Sequence, residues 1–334
     1  MWDKLKQIFK VRELRTSILF VVALLIVFRL AAHIPIPGVD PVALRRLFDS
    51  YQILGLLNLF SGGAMENFSV VALGVGPYIT ASIILQLLTM VIPRLEEITK
   101  EGEAGQRKIN QWTRLLTVPL AVLQGWATVV LLQQSGGAQG GGQILGTLTP
   151  LRLVTILATL TAGTVFLMWL GELISERKVG NGISLLIFAG IVSGLPTAAL
   201  QVLSTYTSAD LPMIISFIAV ALVTTAAVVY ITEAQRNIPV SYARRVRGMR
   251  VYGGVNTHLP LRVNQAGMIP IIFAVSVVLF PTMVAQFLQF ARSPALRDIG
   301  LRIANLFNNQ LIYGIIFFLL VVGFTYFYTA IIFH

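Results

Sequence analysis

The sequence predicts an all-α membrane protein that crosses the bilayer several times, and three observations predict it. Only 12% of the 334 residues are charged, while 56% are hydrophobic. A soluble domain carries about 25% charged residues, and half that share cannot coat a chain of this size. Apolar residues gather in eight stretches, and roughly 20 such residues of helix cross a hydrocarbon core about 30 Å thick. The net charge of +11 is concentrated in alternate connections between those stretches, as expected when Lys and Arg collect on the cytoplasmic side. A soluble enzyme, a disordered tail and a nucleic-acid-binding domain are thereby excluded. The absence of cysteine removes disulfides, thiolate catalysis and cysteine-ligated metal.

The eight stretches run approximately over residues 17–33, 70–92, 115–132, 153–170, 183–203, 211–231, 266–290 and 311–333. They are continuous and aliphatic, whereas strands of a membrane barrel would be shorter and alternate in polarity. The first is preceded by an amphipathic basic segment, residues 1–16, that looks like the start of a secretory signal. The stretch contains Arg29, and Ile34-Pro35-Ile36-Pro37-Gly38 follows it in place of a small-x-small cleavage site, so it reads as a retained helix. With the N-terminus inside, segments 1–16, 93–114, 171–182 and 232–265 are cytoplasmic and hold 18 of the 25 basic residues. Arg45, Arg46, Arg152, Arg292, Arg297 and Arg302 fall on the other side. Both ends of the chain are then expected in the cytoplasm.

Ionisable residues inside the membrane are costly and usually functional, and here they are almost missing. Arg29 either snorkels or pairs with a neighbouring helix, and His33 beside Pro35 is interfacial. A proton- or sodium-coupled transporter needs an ion site at the midplane, so this class is disfavoured. There is no Gly-Lys dipeptide, hence no phosphate-binding loop, and no HExxH. His33, His258 and His334 are too scattered to make a metal site. No catalytic residue, metal site or cofactor is expected.

The irregular pieces carry more information. Residues 58–68, Asn-Leu-Phe-Ser-Gly-Gly-Ala-Met-Glu-Asn-Phe, are too short to span and too apolar for a solvated loop. They predict either a short re-entrant helix covered by protein or an external hairpin packed on the bundle. The second helix opens with Gly74-Val75-Gly76-Pro77, which loosens it. Val75, Ile79 and Ile83 then share one face at i, i+4, i+8. The fifth helix repeats the device, with Gly180-Asn181-Gly182 before Ile183, Ile187 and Ile191. Such β-branched stripes form stiff apolar walls, which serve either helix packing or a constriction that gates by dewetting. In the connection 232–265, Arg244, Arg245, Arg247 and Arg250 lie between Tyr242 and Tyr252. Four arginines in seven residues exceed what orientation requires. They predict a projecting hairpin that is either a plain anchor or a docking site for nucleic-acid phosphate, lipid head groups or an acidic protein.

Several runs taken together resemble the SecY family, central subunits of the bacterial protein-conducting channel. They are residues 60–64 (Phe-Ser-Gly-Gly-Ala), residues 72–88 from Ala72 to Leu88, residues 180–184 (Gly-Asn-Gly-Ile-Ser), residues 257–261 (Thr-His-Leu-Pro-Leu) and residues 264–270 (Asn-Gln-Ala-Gly-Met-Ile-Pro). Their order and spacing resemble the family over the full length. The resemblance implies a ten-helix channel bundle of two inverted halves around an hourglass pore, with about eight of the helices present here. It divides the chain into an N-terminal half, 1–205, and a C-terminal half, 206–334. By position the pore ring falls on Val75, Ile79, Ile183, Ile187 and Ile272. The plug falls on Ser61, Gly62, Gly63, Ala64, Met65, Glu66, Asn67 and Phe68. Lateral-gate contacts fall on Thr80, Gln86, Gln124 and Asn264, and the arginine tip matches a loop that docks the ribosome or the motor ATPase SecA. Implied partners are the small SecE and SecG membrane subunits, SecA, the ribosome, signal peptides and nascent chains, and membrane lipid. The implied location is the bacterial cytoplasmic membrane. The chain stops at His334, where the family continues with a further loop and two helices. The competing readings are a solute transporter and a membrane scaffold with no conduit.

Overall fold

A computed structural model describes residues 11–40, 43–44, 58, 61–138, 145, 149–206, 210–241, 245–247, 250–252, 256–267, 269–289 and 293–332. Two compact units divide the chain, Met1–Ser204 and Thr205–His334.

The first unit contains α1 (Arg12–Ala32), α2 (Gly76–Val91), α3 (Pro93–Lys100), α4 (Glu103–Ala138), α5 (Pro150–Glu176) and α6 (Gly182–Ser204). Pro77 sits in the first turn of α2, where the missing N–H costs nothing, and Pro93 opens α3 the same way. At that second proline the chain bends by 101°. The Thr149 hydroxyl accepts from the Arg152 N–H and caps α5. Asn181 does the same for α6, its side-chain oxygen accepting from the Ser184 N–H at 3.1 Å. Helix α2 packs on α4, α4 on α5, α5 on α6, and α1 lies against α5 and α6. The buried threonine hydroxyls of α4 and α5 are satisfied inside their own helices, as hydrocarbon demands: Thr117 donates to the Thr113 carbonyl at 2.7 Å and Thr164 to that of Leu160 at 3.1 Å. Polar ties sit toward helix ends. Arg114 of α4 pairs with Glu172 of α5 at 2.5 Å, and the Arg177 guanidinium lies 4.2 Å from the centre of the Phe20 ring.

The second unit contains α7 (Leu211–Glu233), β1 (Gln235–Ser241), β2 (Arg245–Arg247), β3 (Arg250–Tyr252), β4 (Asn256–Arg262), α8 (Ile269–Gln289), α9 (Pro294–Asn308) and α10 (Gln310–Ile332). None of the residues of α7 is buried, the pattern of a helix whose surroundings are as apolar as itself. Strands β1 and β4 pair antiparallel from Gln235↔Arg262 to Ser241↔Asn256. Between them β2 and β3 pair from Arg245↔Tyr252 to Arg247↔Arg250. On α8, Phe273 meets Phe324 and Tyr328 of α10 edge-on, with ring centres 5.6 and 6.4 Å apart.

Each of the eight apolar stretches contains a helix. Among the described residues six helices are long and apolar enough to cross a membrane, or up to seven if the bent α2–α3 pair is one span. Eight spans is therefore an approximate count. The structure adds detail to the sequence reading in three places. Segment 93–114 is helical almost throughout, because α4 runs 36 residues and carries its first three turns beyond the apolar stretch. The connection after α8 holds the amphipathic α9, whose apolar Leu296, Ile299, Ile303 and Leu306 fall on one face. Within 58–68 the described Asn58 and Ser61 are helical and residues 62–68 form consecutive turns. Gly62 at φ +69° and Gly63 at φ +81° explain this, since left-handed residues in succession break the helical path.

Candidate functional site

The turn segment is buried although it is not helical. Ala64 is fully buried and Phe68, Ser69, Val71 and Ala72 nearly so. Irregular backbone survives at such depth only if its polar groups find partners, and here the chain supplies them locally. The N–H of Gly63 donates to the Asn58 carbonyl, that of Ser69 to Ala64, that of Ala72 to Ser69 and that of Gly74 to Val71, all at 2.8–2.9 Å. Asn58 clamps the segment twice, donating to the Glu66 carboxylate and accepting from the Glu66 N–H, both at 3.0 Å. The Met65 N–H donates to the Ser61 hydroxyl at 3.2 Å. At the far end the N–H of Ile36 donates to the Phe68 carbonyl and that of Val70 to Ile34, both at 3.0 Å. Phe68 adopts φ +42°, a costly conformation for a bulky residue, and keeps it with its ring fixed in an apolar cluster with Ile36, Ala72 and Leu160.

Two arginines from different helices tie this irregular stretch down. Arg29 of α1 donates to the Gly62 carbonyl at 2.6 Å, and Arg152 of α5 to the Gly38 carbonyl at 2.9 Å. Both glycines have left-handed φ, +69° and +92°. A β-carbon on Gly62 would stand 2.7 Å from the Cα of Gly190 on α6 and 3.4 Å from the Phe28 ring. Backbone therefore approaches backbone there, and glycine is required on steric grounds as well as conformational ones.

Around Ala64 the structure collects an apolar cluster from separate elements. It includes Phe28 of α1, Val71, Val75, Leu170, Ile174 and Leu186, with Ile79, Ile183 and Ile187 packed against it half-buried. Four of the five residues assigned to a pore ring thus lie in one cluster with a residue assigned to the plug. Small residues make the approach possible: Gly163 lies against the Val70 carbonyl and Gly182 against that of Gly171. Ile272 is within α8, in the second unit.

The four positions assigned to a gate are distributed over both units. The Thr80 hydroxyl donates to the Gly76 carbonyl of its own helix at 3.1 Å. A β-carbon on Gly76 would lie 3.9 Å from the Gln124 side-chain oxygen, so Gln124 of α4 faces the first turn of α2. Gln86 is half-buried one and a half turns further along α2, with its backbone carbonyl accepting from the Thr89 hydroxyl at 2.7 Å. Asn264 lies just after β4, where its side-chain oxygen accepts from the Gly267 N–H at 3.1 Å. On the basic ribbon, Arg245 and Arg247 occupy β2 and Arg250 occupies β3, while Arg244 lies outside the described residues. Arg247 and Arg250 are paired in register across the ribbon. Among the described residues no group of His, Asp and Glu could hold a metal ion.

Sequence reasoning missed three parts of this site. The bond from Arg29 to Gly62 joins positions 33 residues apart, and only the isolated charge at Arg29 hinted at it. Gly190 gave no sign of its close approach, being one glycine of 28. The clamp by Asn58 lay inside the quoted run without a legible partner.

Comparison with known proteins gives a consistent answer. The SecY family model matches residues 69–334. The protein translocase subunit SecY of Streptomyces galbus is 45% identical over 336 residues, covering 98% of this chain and 76% of the relative. That of Buchnera aphidicola subsp. Acyrthosiphon kondoi is 44% identical and covers 96% of this chain and 90% of its own. Among solved structures, a protein-conducting channel superposes with a TM-score of 0.52 at 19% identity, over 79% of this chain and 56% of that one. Sec61 in the canine ribosome–channel complex from the endoplasmic reticulum gives a TM-score of 0.50 at 18% identity, over 79% and 57%. These two establish likeness of fold. The chain spans about three quarters of the Streptomyces relative and somewhat over half of each channel chain.

Proposed function

The chain belongs to the SecY family, and on that premise we propose that it is the central subunit of a protein-conducting channel in the bacterial cytoplasmic membrane. It passes unfolded secretory polypeptides across the membrane and releases transmembrane segments sideways into lipid. It is a conduit and not an enzyme, so the work of translocation comes from a partner. The observation that carries the reading is the joint packing of Val75, Ile79, Ile183 and Ile187 with Ala64 of the buried turn segment.

In this mechanism Val75, Ile79, Ile183, Ile187 and Ile272 form an apolar gasket. β-Branched side chains close loosely round an extended chain and offer it no hydrogen bonds, so passage is indifferent to sequence. With no chain present, the constriction sheds water and residues 61–68 plug it. Glu66 can stay in so apolar a place because Asn58 holds its carboxylate. A signal helix gains about 25 cal/mol per Å² of apolar surface on entering lipid, and that difference shifts the gate toward open. Thr80, Gln86, Gln124 and Asn264 set how stable the closed gate is. The basic ribbon around Arg244, Arg245, Arg247 and Arg250 docks SecA or the ribosome, SecE and SecG brace the bundle, and both ends of this chain face the cytoplasm.

The test is a photocrosslinker placed at position 79 or 187 in the assembled channel, with a secretory chain stalled in transit. Both positions should capture the stalled chain, and position 222, on the exposed surface of α7, should not. Equal capture at all three would reject the conduit in favour of a scaffold.

A further inference from the structure

The buried segment is held at two places by different kinds of contact. Its C-terminal end is fixed by a pair of backbone bonds, Ile36 N–H to Phe68 and Val70 N–H to Ile34, beside the strained Phe68. The remaining bonds close locally on Ser61, Ala64 and the adjoining Asn58, so the segment keeps them if Asn58 moves with it. Its tip, at Gly62, receives one side chain from outside, the guanidinium of Arg29.

From this we infer that Arg29 is the latch of the segment and Phe68–Val70 its hinge. The inference rests on reading 61–68 as the movable plug and names the residue that positions it. Several features suit Arg29 to the task. It stands in the last turn of α1, where the helix dipole favours a cation. It is half-buried, so a charge-assisted bond to a carbonyl is stronger than it would be in water. Its neighbour Phe28 is nearly fully buried and fixes the helix face from which it reaches. The His33 ring lies 2.8 Å from the Arg29 carbonyl and occupies the helix end. At Gly62 the carbonyl accepts from Arg29 while the missing β-carbon lets the tip rest on Gly190. When the tip leaves, the guanidinium loses its acceptor in apolar surroundings. Opening therefore carries an electrostatic cost localised at one residue, and a ligand that opens the channel must exceed it.

The experiment uses the full-length chain in its assembled channel, reconstituted in proteoliposomes. The sequence has no cysteine, so Met65→Cys introduces a single thiol at a buried position of the segment. Its rate of modification by a membrane-impermeant maleimide reports departure of the tip, and ion leak is recorded in parallel. Arg29→Met, similar in length and uncharged, should speed labelling by about tenfold or more, the factor expected for one bond from a charged donor. Arg29→Lys restores a cationic donor and should recover most of the slow rate, which a role for side-chain bulk alone would not produce. If Arg29→Met fails to insert, Arg29→Gln carries the same comparison. An unchanged labelling rate in the neutral variant overturns the latch. Faster labelling with no rise in leak keeps the latch and rejects the sealing role of the segment.

Discussion

Gly62→Ala tests the packing of the buried turn most directly, because two separable costs meet at one atom. The left-handed conformation, φ +69°, costs an alanine about 1–2 kcal/mol. The added β-carbon would also stand 2.7 Å from the Gly190 Cα, and backbone cannot swing aside as a side-chain tip can. Overpacking of this kind costs about 1–3 kcal/mol. Gly63 is the internal control: its φ is +81° and a β-carbon there meets nothing within 4 Å. Gly63→Ala therefore carries the conformational cost alone. With every 1.4 kcal/mol a factor of about ten, Gly63→Ala should shift the seated-to-displaced ratio of the segment by roughly tenfold. Gly62→Ala should shift it by roughly a further tenfold. Resting conductance of the reconstituted channel in planar bilayers reads both shifts against the unaltered protein. Equal conductance in the two variants would refute the claim that contact with Gly190 holds the segment, leaving only the conformational preference of glycine.

Other outcomes follow from the same geometry. Ile79→Asp or Ile187→Asp would place a carboxylate in the apolar cluster and wet it, so resting conductance should rise; unchanged conductance counts against the gasket. Asn264→Leu removes a loop-closing acceptor and should change how hydrophobic a signal peptide must be to engage the channel, measured with a graded signal series whose thresholds would otherwise coincide. Arg244→Glu combined with Arg247→Glu should weaken SecA or ribosome binding while insertion stays normal, and a titration at several salt concentrations should lose part of its salt slope. The pair Arg114–Glu172 joins α4 to α5 with side chains 48% and 25% exposed. A double-mutant cycle with Arg114→Gln and Glu172→Gln should give a coupling of about 1 kcal/mol, little more than a surface pair, in detergent unfolding; several kcal/mol would mean that the pair is buried in the assembled protein.

By itself the sequence determined the membrane residence, the approximate helices and the family. The cost of unpaired backbone in hydrocarbon leaves a continuous apolar stretch few choices besides helix, so 17–33 and 211–231 were legible as α1 and α7 without any tertiary knowledge. The isoleucine stripes of α2 and α6 were legible as faces, since their period is local. Whether those faces met each other, a lipid or a constriction was not local information. It took the packing of α1, α2, α5 and α6 to bring Ile79, Ile187 and Ala64 into one cluster. The turn segment shows the limit most clearly. Its apolarity announced burial, but two consecutive left-handed glycines chose turns over helix, and the partners that make those turns tolerable, Arg29 and Gly190, stand far away in sequence. Hydrophobic pattern fixes what a segment can bury; only the tertiary structure decides which distant donor and which bare backbone it is buried against, because hydrogen bonds and close contacts depend on ångström-scale placement that no periodicity encodes.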